Sequence, residues 1–366
     1  MGFTCGLVGL PNTGKSTIFG ALTRTEAQSG NYAFTTIEPN NGIVPVPDTR
    51  MDTITKYVKT NKVVLTTMEF IDIAGLIKGA SKGEGLGNKF LGHIREVDAI
   101  AHVVRCFEDS NIPHVSNIID PASDISTINT ELMISDLESL ERRKTKVIKL
   151  ARSGDKEALM QMEVLNKLTE TLDQNQPARS ITDFNDEEKD YLKTLTLLSA
   201  KPVLYICNVL DPGDTENELV KKVKEIAKED GSSVVALAAK IEGEIMEIED
   251  PEERQMFMEE MGLVQTGLDL MISAGYGLLD LATYFTAGEQ EYRAWTIPRN
   301  ATAPQAAGVI HTDFEKGFIR AEVYSIEDLV QYESEAAIKD AGKLRVEGKE
   351  YVVQDGDIMH FRFNVK

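Results

Sequence analysis

Short apolar runs punctuate the first 240 residues, and longer stretches of helical period separate them. Runs of this kind at 3–8, 42–46, 63–73, 98–107, 201–211 and 233–240 predict strands, the one at 98–107 a buried one, with the segments between supplying helices. That alternation predicts an α/β fold with a mostly parallel sheet flanked by helices. Two stretches depart from it. Met133, Leu137, Leu140, Val147 and Ala151 keep close to a 3.5-residue spacing. After Ser153-Gly-Asp155, Met162, Leu165, Leu168 and Leu172 repeat it, which predicts two antiparallel helices joined by a short turn. From Leu279 onward the runs alternate with period two, as in 317–324 and 357–363, which predicts a small α+β unit with half-buried strands. No nucleophile, base and orienter cluster there, so the tail reads as a binding module.

Chemistry enters directly after the first strand. Gly9-Leu-Pro-Asn-Thr-Gly-Lys-Ser16 has the G-x-x-x-x-G-K-[ST] form between a strand and a helix. In that setting the backbone N–H groups of Asn12, Thr13, Gly14, Lys15, Ser16 and Thr17 turn inward on phosphates at a helix N-terminus. Lys15 reaches the β/γ-phosphates and the Ser16 hydroxyl ligates Mg²⁺. A nucleoside triphosphate is therefore the expected substrate, ATP or GTP, with Mg²⁺ as cofactor. Thr36 is the candidate switch threonine for Mg²⁺, with Thr35 in reserve; Thr-Thr before a strand is also ordinary β-forming sequence. The strand ending at 73 delivers Asp72 as a Mg²⁺ ligand through water and Gly75 as a γ-phosphate contact. Leu76 follows where Ras-like proteins place a water-orienting glutamine, and it has no donor or acceptor. The loop 78–87 carries four glycines in ten residues.

The group missing at Leu76 has to come from elsewhere, or turnover is slow. His114, in the polar loop 109–114 beyond a strand end, is the candidate for it, with an exposed loop histidine as the other reading. His102, inside an apolar run, reads as a core or satisfied histidine. Asn208-Val-Leu-Asp211 has the form of the guanine-reading Asn-Lys-x-Asp. Asn208 and Asp211 are kept, and Val209 stands where the lysine stem would cover the base. Ala239 and Lys240 follow the last strand, where a backbone N–H would meet the base.

Composition narrows the rest. With 39 basic and 59 acidic residues and a net charge of −20, generic wrapping of duplex DNA is not expected. No apolar run reaches membrane-span length, and the N-terminus enters a strand with no room for a signal peptide. Cys5, Cys106 and Cys207 each lie in an apolar run and read as buried free thiols in a reducing, cytoplasmic setting. Arg142, Arg143, Lys144, Lys146, Lys149 and Arg152 concentrate basic charge on the first helix of the pair. They form either a solvated face or a contact surface for nucleic acid or an acidic partner.

Beyond these single features, the segments Gly9–Ser16, Tyr32–Thr36, Asp72–Ala80 and Gly83–Phe90 resemble those of the YchF/Obg-like ATPase family of translation-factor-class P-loop NTPases. Thr302–Arg320 is similar to that family's TGS domain, a β-grasp module. The resemblance covers essentially the whole chain. It implies a G domain in two parts (1–125 and 196–278), an inserted antiparallel helical coiled coil (126–195) and a TGS domain (279–366). It implies ATP hydrolysis in preference to, or alongside, GTP, and association with the ribosome. Leu76 points to slow intrinsic turnover, expected to be stimulated by a partner, and the chain is expected to be a monomer. RNA contact would run through the basic helix and the TGS domain. Leu76 matches the family's hydrophobic replacement of the catalytic glutamine, and His114 falls where the family carries a histidine proposed to assist hydrolysis. Asp211 is a departure, since members often have Glu there. Two alternatives stand beside the ATPase: a nucleotide-controlled switch with incidental hydrolysis, and a guanine-specific Obg-type GTPase.

Overall fold

A computed structural model describes residues 3–29, 41–58, 60–73, 86–114, 118–288 and 290–364. β1 (Phe3–Val8) leads into helix α1 (Lys15–Ser29). β2 (Asn41–Pro45), α2 (Thr49–Thr55), the two-residue β3 (Val63–Val64) and β4 (Thr67–Asp72) follow. Next come α3 (Leu86–Glu96), β5 (Ala99–Arg105), the 32-residue α4 (Pro121–Arg152), α5 (Lys156–Asp173) and α6 (Asp186–Leu195). β6 (Val203–Asn208), α7 (Glu218–Asp230), β7 (Ser233–Leu237), α8 (Ala239–Glu247), α9 (Pro251–Glu260) and α10 (Gly267–Leu278) complete the first part. The tail holds β8 (Leu281–Ala287), β9 (Tyr292–Pro298), α11 (Ala303–Ile310), α12 (Thr312–Lys316), β10 (Phe318–Tyr324), α13 (Ile326–Tyr332), α14 (Glu335–Asp340), β11 (Arg345–Glu347) and β12 (Ile358–Phe363).

The chain divides into two compact units, one of residues 3–44 and 69–278, the other of 45–68 and 279–366 with the first two residues. In the larger unit the sheet order is β2-β4-β1-β5-β6-β7, and β1, β5, β6 and β7 run parallel. Every residue of β5 and of β6 is buried, which is why these segments read as unbroken apolar runs rather than alternating ones. One face of the sheet is covered by α3, α4 and α7 through Phe90, Ile94, Ile125, Ile128, Val220 and Val223. The thiols of Cys5, Cys106 and Cys207 are free and buried, as expected, and burial pushes that of Cys5 up to about 12. His102 is in the core, as expected, and its Nε2 has no hydrogen-bond partner among the described residues. Burial and then the Arg179 charge hold its pKa down at about 3, so the ring stays neutral there.

The helical pair forms with the predicted stripe. Met133, Leu140 and Val147 of α4 pack with Val164, Leu165, Leu168 and Leu172 of α5, and Leu137, Ala151 and Met162 flank them. Gly154 takes φ +84 in the turn, and Asp155 caps α5 by accepting from the Ala158 N–H at 2.8 Å. α4 starts five residues ahead of 126, because Pro121 sits well in a first helical turn and nothing interrupts the period afterwards. Its first half therefore packs on the sheet and its second half on α5. Asp136 fixes it at mid-length, accepting from the N–H groups of Leu198 (2.9 Å) and Ser199 (2.7 Å) and from Ser199 Oγ (2.6 Å).

The smaller unit has the sheet order β11-β10-β12-β8-β9-β3. Its two cores gather Tyr284, Ile297, Phe318 and Met359, and Met51, Ile54, Phe285, Tyr292 and Ile358. The single strand expected over 63–73 is two strands in two sheets. Val63 and Val64 pair in parallel with Tyr292 and Arg293, whereas Thr67–Asp72 lies beside β1. Between them the Thr66 carbonyl accepts from the Val46 N–H at 2.9 Å, and its hydroxyl bonds that of Thr296. Uniform β propensity carries no mark of such a change of sheet.

Candidate nucleotide site

The loop between β1 and α1 is shaped by two close approaches. A Cβ on Gly9 would stand 2.8 Å from both Thr13 Oγ1 and the Val103 carbonyl. Gly14 has φ +95, and a Cβ there would collide with the Asn208 amide. Thr13 is buried and turns its hydroxyl inward, onto the Leu10 carbonyl at 3.0 Å, so the loop can offer a ligand only the Thr13 backbone. Asn12 takes φ +65, stands exposed, and donates from Nδ2 to the Pro113 carbonyl at 3.1 Å. The first bonds of α1 run from the Thr17 and Ile18 N–H groups to the Gly14 carbonyl. The preceding N–H groups of Gly14, Lys15 and Ser16 thus form the electropositive helix start. Ser16 and Thr17 are exposed there.

Lys15 Nζ is ion-paired with Asp72 Oδ1 at the end of β4, and both side chains are mostly buried. Thr36, Gly75 and Leu76, with Thr35, lie outside the described residues. Asn208 is the keystone on the other side of the loop. Its Nδ2 donates to the Thr13 carbonyl at 2.9 Å and its Oδ1 accepts from the Ala239 N–H at 3.0 Å. The Ala239 N–H therefore serves Asn208 rather than a base. Val209 is buried in the sheet core, so its side chain does not cover a base as the lysine stem would. Asp211 is exposed, and its Oδ1 accepts from the Gly213 N–H at 2.8 Å. Lys240 is also exposed, 3.8 Å from Glu244.

His114 is buried, which excludes the exposed-loop reading, and its Nε2 lies 3.0 Å from Asp124 Oδ2. Two residues of this corner escaped the sequence reading. Arg105 at the end of β5 is 1% exposed and braces the following loop, donating to the carbonyls of Phe107 (3.2 Å), Asp109 (3.2 Å) and Ile112 (2.9 Å). An arginine closing a wholly buried strand was the available signal. Asp124, in the first turn of α4, gave none beyond its acidic place at a helix start.

A glycine-shaped loop at a helix N-terminus, a lysine paired with a strand-end aspartate, and an asparagine tying the loop to the start of α8, on a sheet whose central strands run parallel, define a P-loop NTPase. Residues 4–150 match the family described as "50S ribosome-binding GTPase", and 281–364 match the YchF GTPase C-terminal family, described as a protein of unknown function. The chain is 55% identical to the "Ribosome-binding ATPase YchF" of Bacillus subtilis and 54% identical to that of Escherichia coli O157:H7, in each case over all of both proteins. The solved YchF GTPase of Schizosaccharomyces pombe superposes with a TM-score of 0.88 at 38% identity, covering 98% of this chain and 97% of that one. The chain belongs to the YchF family. A GTP-binding protein from Pyrococcus horikoshii shares the fold, with a TM-score of 0.61 at 19% identity over 99% of this chain and 100% of that one.

Proposed function

We propose that this chain is a ribosome-associated, Mg²⁺-dependent ATPase of the cytoplasm, acting as a monomer. The observation that carries the nucleotide reading is the Asn208 bridge, which holds the P-loop carbonyl of Thr13 and the loop at Ala239 in one rigid frame. The backbone N–H groups from Gly14 to Ser16 then receive the phosphates, and Lys15 leaves Asp72 to meet them. That exchange frees the Asp72 carboxylate just as an anionic ligand arrives. The exposed Ser16 hydroxyl and the Asp72 carboxylate are hard oxygen donors that suit Mg²⁺, with Thr36 the further candidate. Bound Mg²⁺ would neutralise charge on the phosphate oxygens. Water attacks the γ-phosphorus, the bond to the β–γ bridging oxygen breaks, and ADP and phosphate leave. Leu76 cannot orient that water, so His114 takes the role, and Gly75 contacts the γ-phosphate. Slow intrinsic turnover, accelerated by the partner, follows from the absence of a glutamine.

Base choice favours ATP, because Val209 is in the core and leaves the base without a covering stem. Asp211 keeps GTP as a second reading, since its exposed carboxylate retains an oxygen for the two donors on one edge of guanine. Binding of labelled ATP and GTP to the purified protein with Mg²⁺, side by side, separates them. ATP is expected to bind more tightly, and a tenfold preference for GTP, about 1.4 kcal/mol, would make this member a GTPase. The partner contact is assigned to the basic face of α4. Arg142, Arg143 and Lys146 there line a hollow of about 290 Å³, and none of the three makes an ion pair among the described residues.

A further inference from the structure

The corner between β5 and α4 holds a buried acid–imidazole pair one residue away from a P-loop contact. The Pro113 carbonyl is bonded by Asn12, and the next side chain, His114, has its Nε2 3.0 Å from Asp124 Oδ2. The two side chains are 3% and 5% exposed. The backbone on the strand side of this residue is held by Arg105, whose guanidinium takes three carbonyls of the loop 107–112 and lies 4.6 Å over the Phe107 ring. On the other side, α4 carries Asp124 as part of a helix anchored in the sheet core by Ile125 and Ile128. Asp124 is thus presented to the imidazole from a rigid element.

A buried carboxylate is costly, and a buried ion pair is often matched in stability by apolar residues of the same volume. Stability alone therefore gives little reason for an acid here. Burial pushes the Asp124 carboxyl above its ordinary value, and the hydrogen bond to His114 opposes that shift. The other charges bearing on the pair are Asp120, just before α4, and Arg105 from β5.

We propose that Asp124 is a positioning residue for His114: its carboxylate accepts from Nε2–H, fixing the plane of the ring and the nitrogen that keeps the proton. A hydrogen-bonded acid does this for an imidazole wherever the tautomer matters. The proposal rests on the reading of His114 as the water-orienting group.

The test is turnover of the full-length protein, with ATP affinity measured on the same samples. Asp124→Asn keeps size and removes the charge. It is expected to lower kcat on the order of tenfold to a hundredfold while ATP affinity stays within about twofold. Asp124→Glu should recover part of the loss. In a His114→Ala background, Asp124→Asn should cause no further fall, because the residue it acts through is gone. Wild-type kcat in Asp124→Asn, alongside a large loss in His114→Ala, overturns the positioning role alone. An equal fall from Asp124→Asn in both backgrounds also overturns it, since the acid would then be supporting the fold. Wild-type turnover in His114→Ala sinks the reading of His114 itself.

Discussion

His102 shows what one side chain can impose on the whole protein. It sits in β5 with its ring centroid 5.6 Å from that of Tyr205 and its Nε2 unpartnered. Its folded pKa, about 3, lies well below the ordinary 6.5. The unfolded chain therefore binds a proton below pH 6.5 that the folded chain refuses. Stability is unaffected above 6.5 and is lost as pH falls from 6.5 toward 3, by about 2 kcal/mol at pH 5 from this group. Replacing His102 with Leu should flatten the decline in urea stability between pH 7 and pH 5 by about that amount. An unchanged slope would mean the ring finds a proton acceptor when charged. The same residue marks where sequence reading stops: an apolar run places a histidine in a core, but only packing tells whether both nitrogens are satisfied. Val209 is parallel. Its identity declared the lysine missing, and its burial shows that its own side chain is turned into the sheet core.

Among the elements, α4 does the most, since one helix carries Asp124 at its start, packs on the sheet and then forms half of the hairpin. Asp136 lies within its apolar stripe, between Met133 and Leu140, and accepts three hydrogen bonds from Leu198 and Ser199. Asp136→Ala would leave two buried N–H groups and a hydroxyl unpaired at about 1–3 kcal/mol each, so a loss of at least about 3 kcal/mol is expected in denaturant unfolding. A loss below about 1 kcal/mol would mean that water or a neighbour replaces the carboxylate. Elements of this kind were largely legible beforehand. β1 follows from its apolar run and the hairpin from its stripe, and the tail strands form over 318–324 and 358–363 where the period-two pattern expects them, although their burial does not alternate strictly. What was not legible depends on the partner. Nothing in 63–73 marks which half joins β9 and which joins β1, and nothing at Asp124 names His114, ten residues away, as its partner. The nucleotide loop was readable because its glycines answer backbone demands that no other residue meets, at Gly9 and Gly14.

On the scale of the whole molecule, charge is the unusual property. A net charge of −20 repels a phosphate backbone, yet association with the ribosome is proposed. The basic face of α4 is the contact proposed to reconcile the two. Lys144 approaches Glu141 only at 3.9 Å, and Arg142, Arg143 and Lys146 have no acidic partner among the described residues. Exposed cations within reach of carboxylates gain little from pairing, so leaving these unpaired costs the fold little while concentrating positive potential on one face. The hollow's lining, which includes Ser139 and Thr194, holds no aromatic ring, so bases have nothing there to stack on and phosphates are the groups its cations suit. Binding of that kind is independent of sequence and steeply dependent on salt. Reversing the three charges (R142E, R143E and K146E together) should weaken co-sedimentation with ribosomes at low salt. It should also reduce the slope of log affinity against log salt by about 2 to 3, close to 0.7–0.9 for each phosphate no longer neutralised. If affinity falls while the slope is unchanged, the face meets an uncharged protein surface. If neither changes, the acidic molecule docks through another face, and the basic run on α4 is only a solvated one.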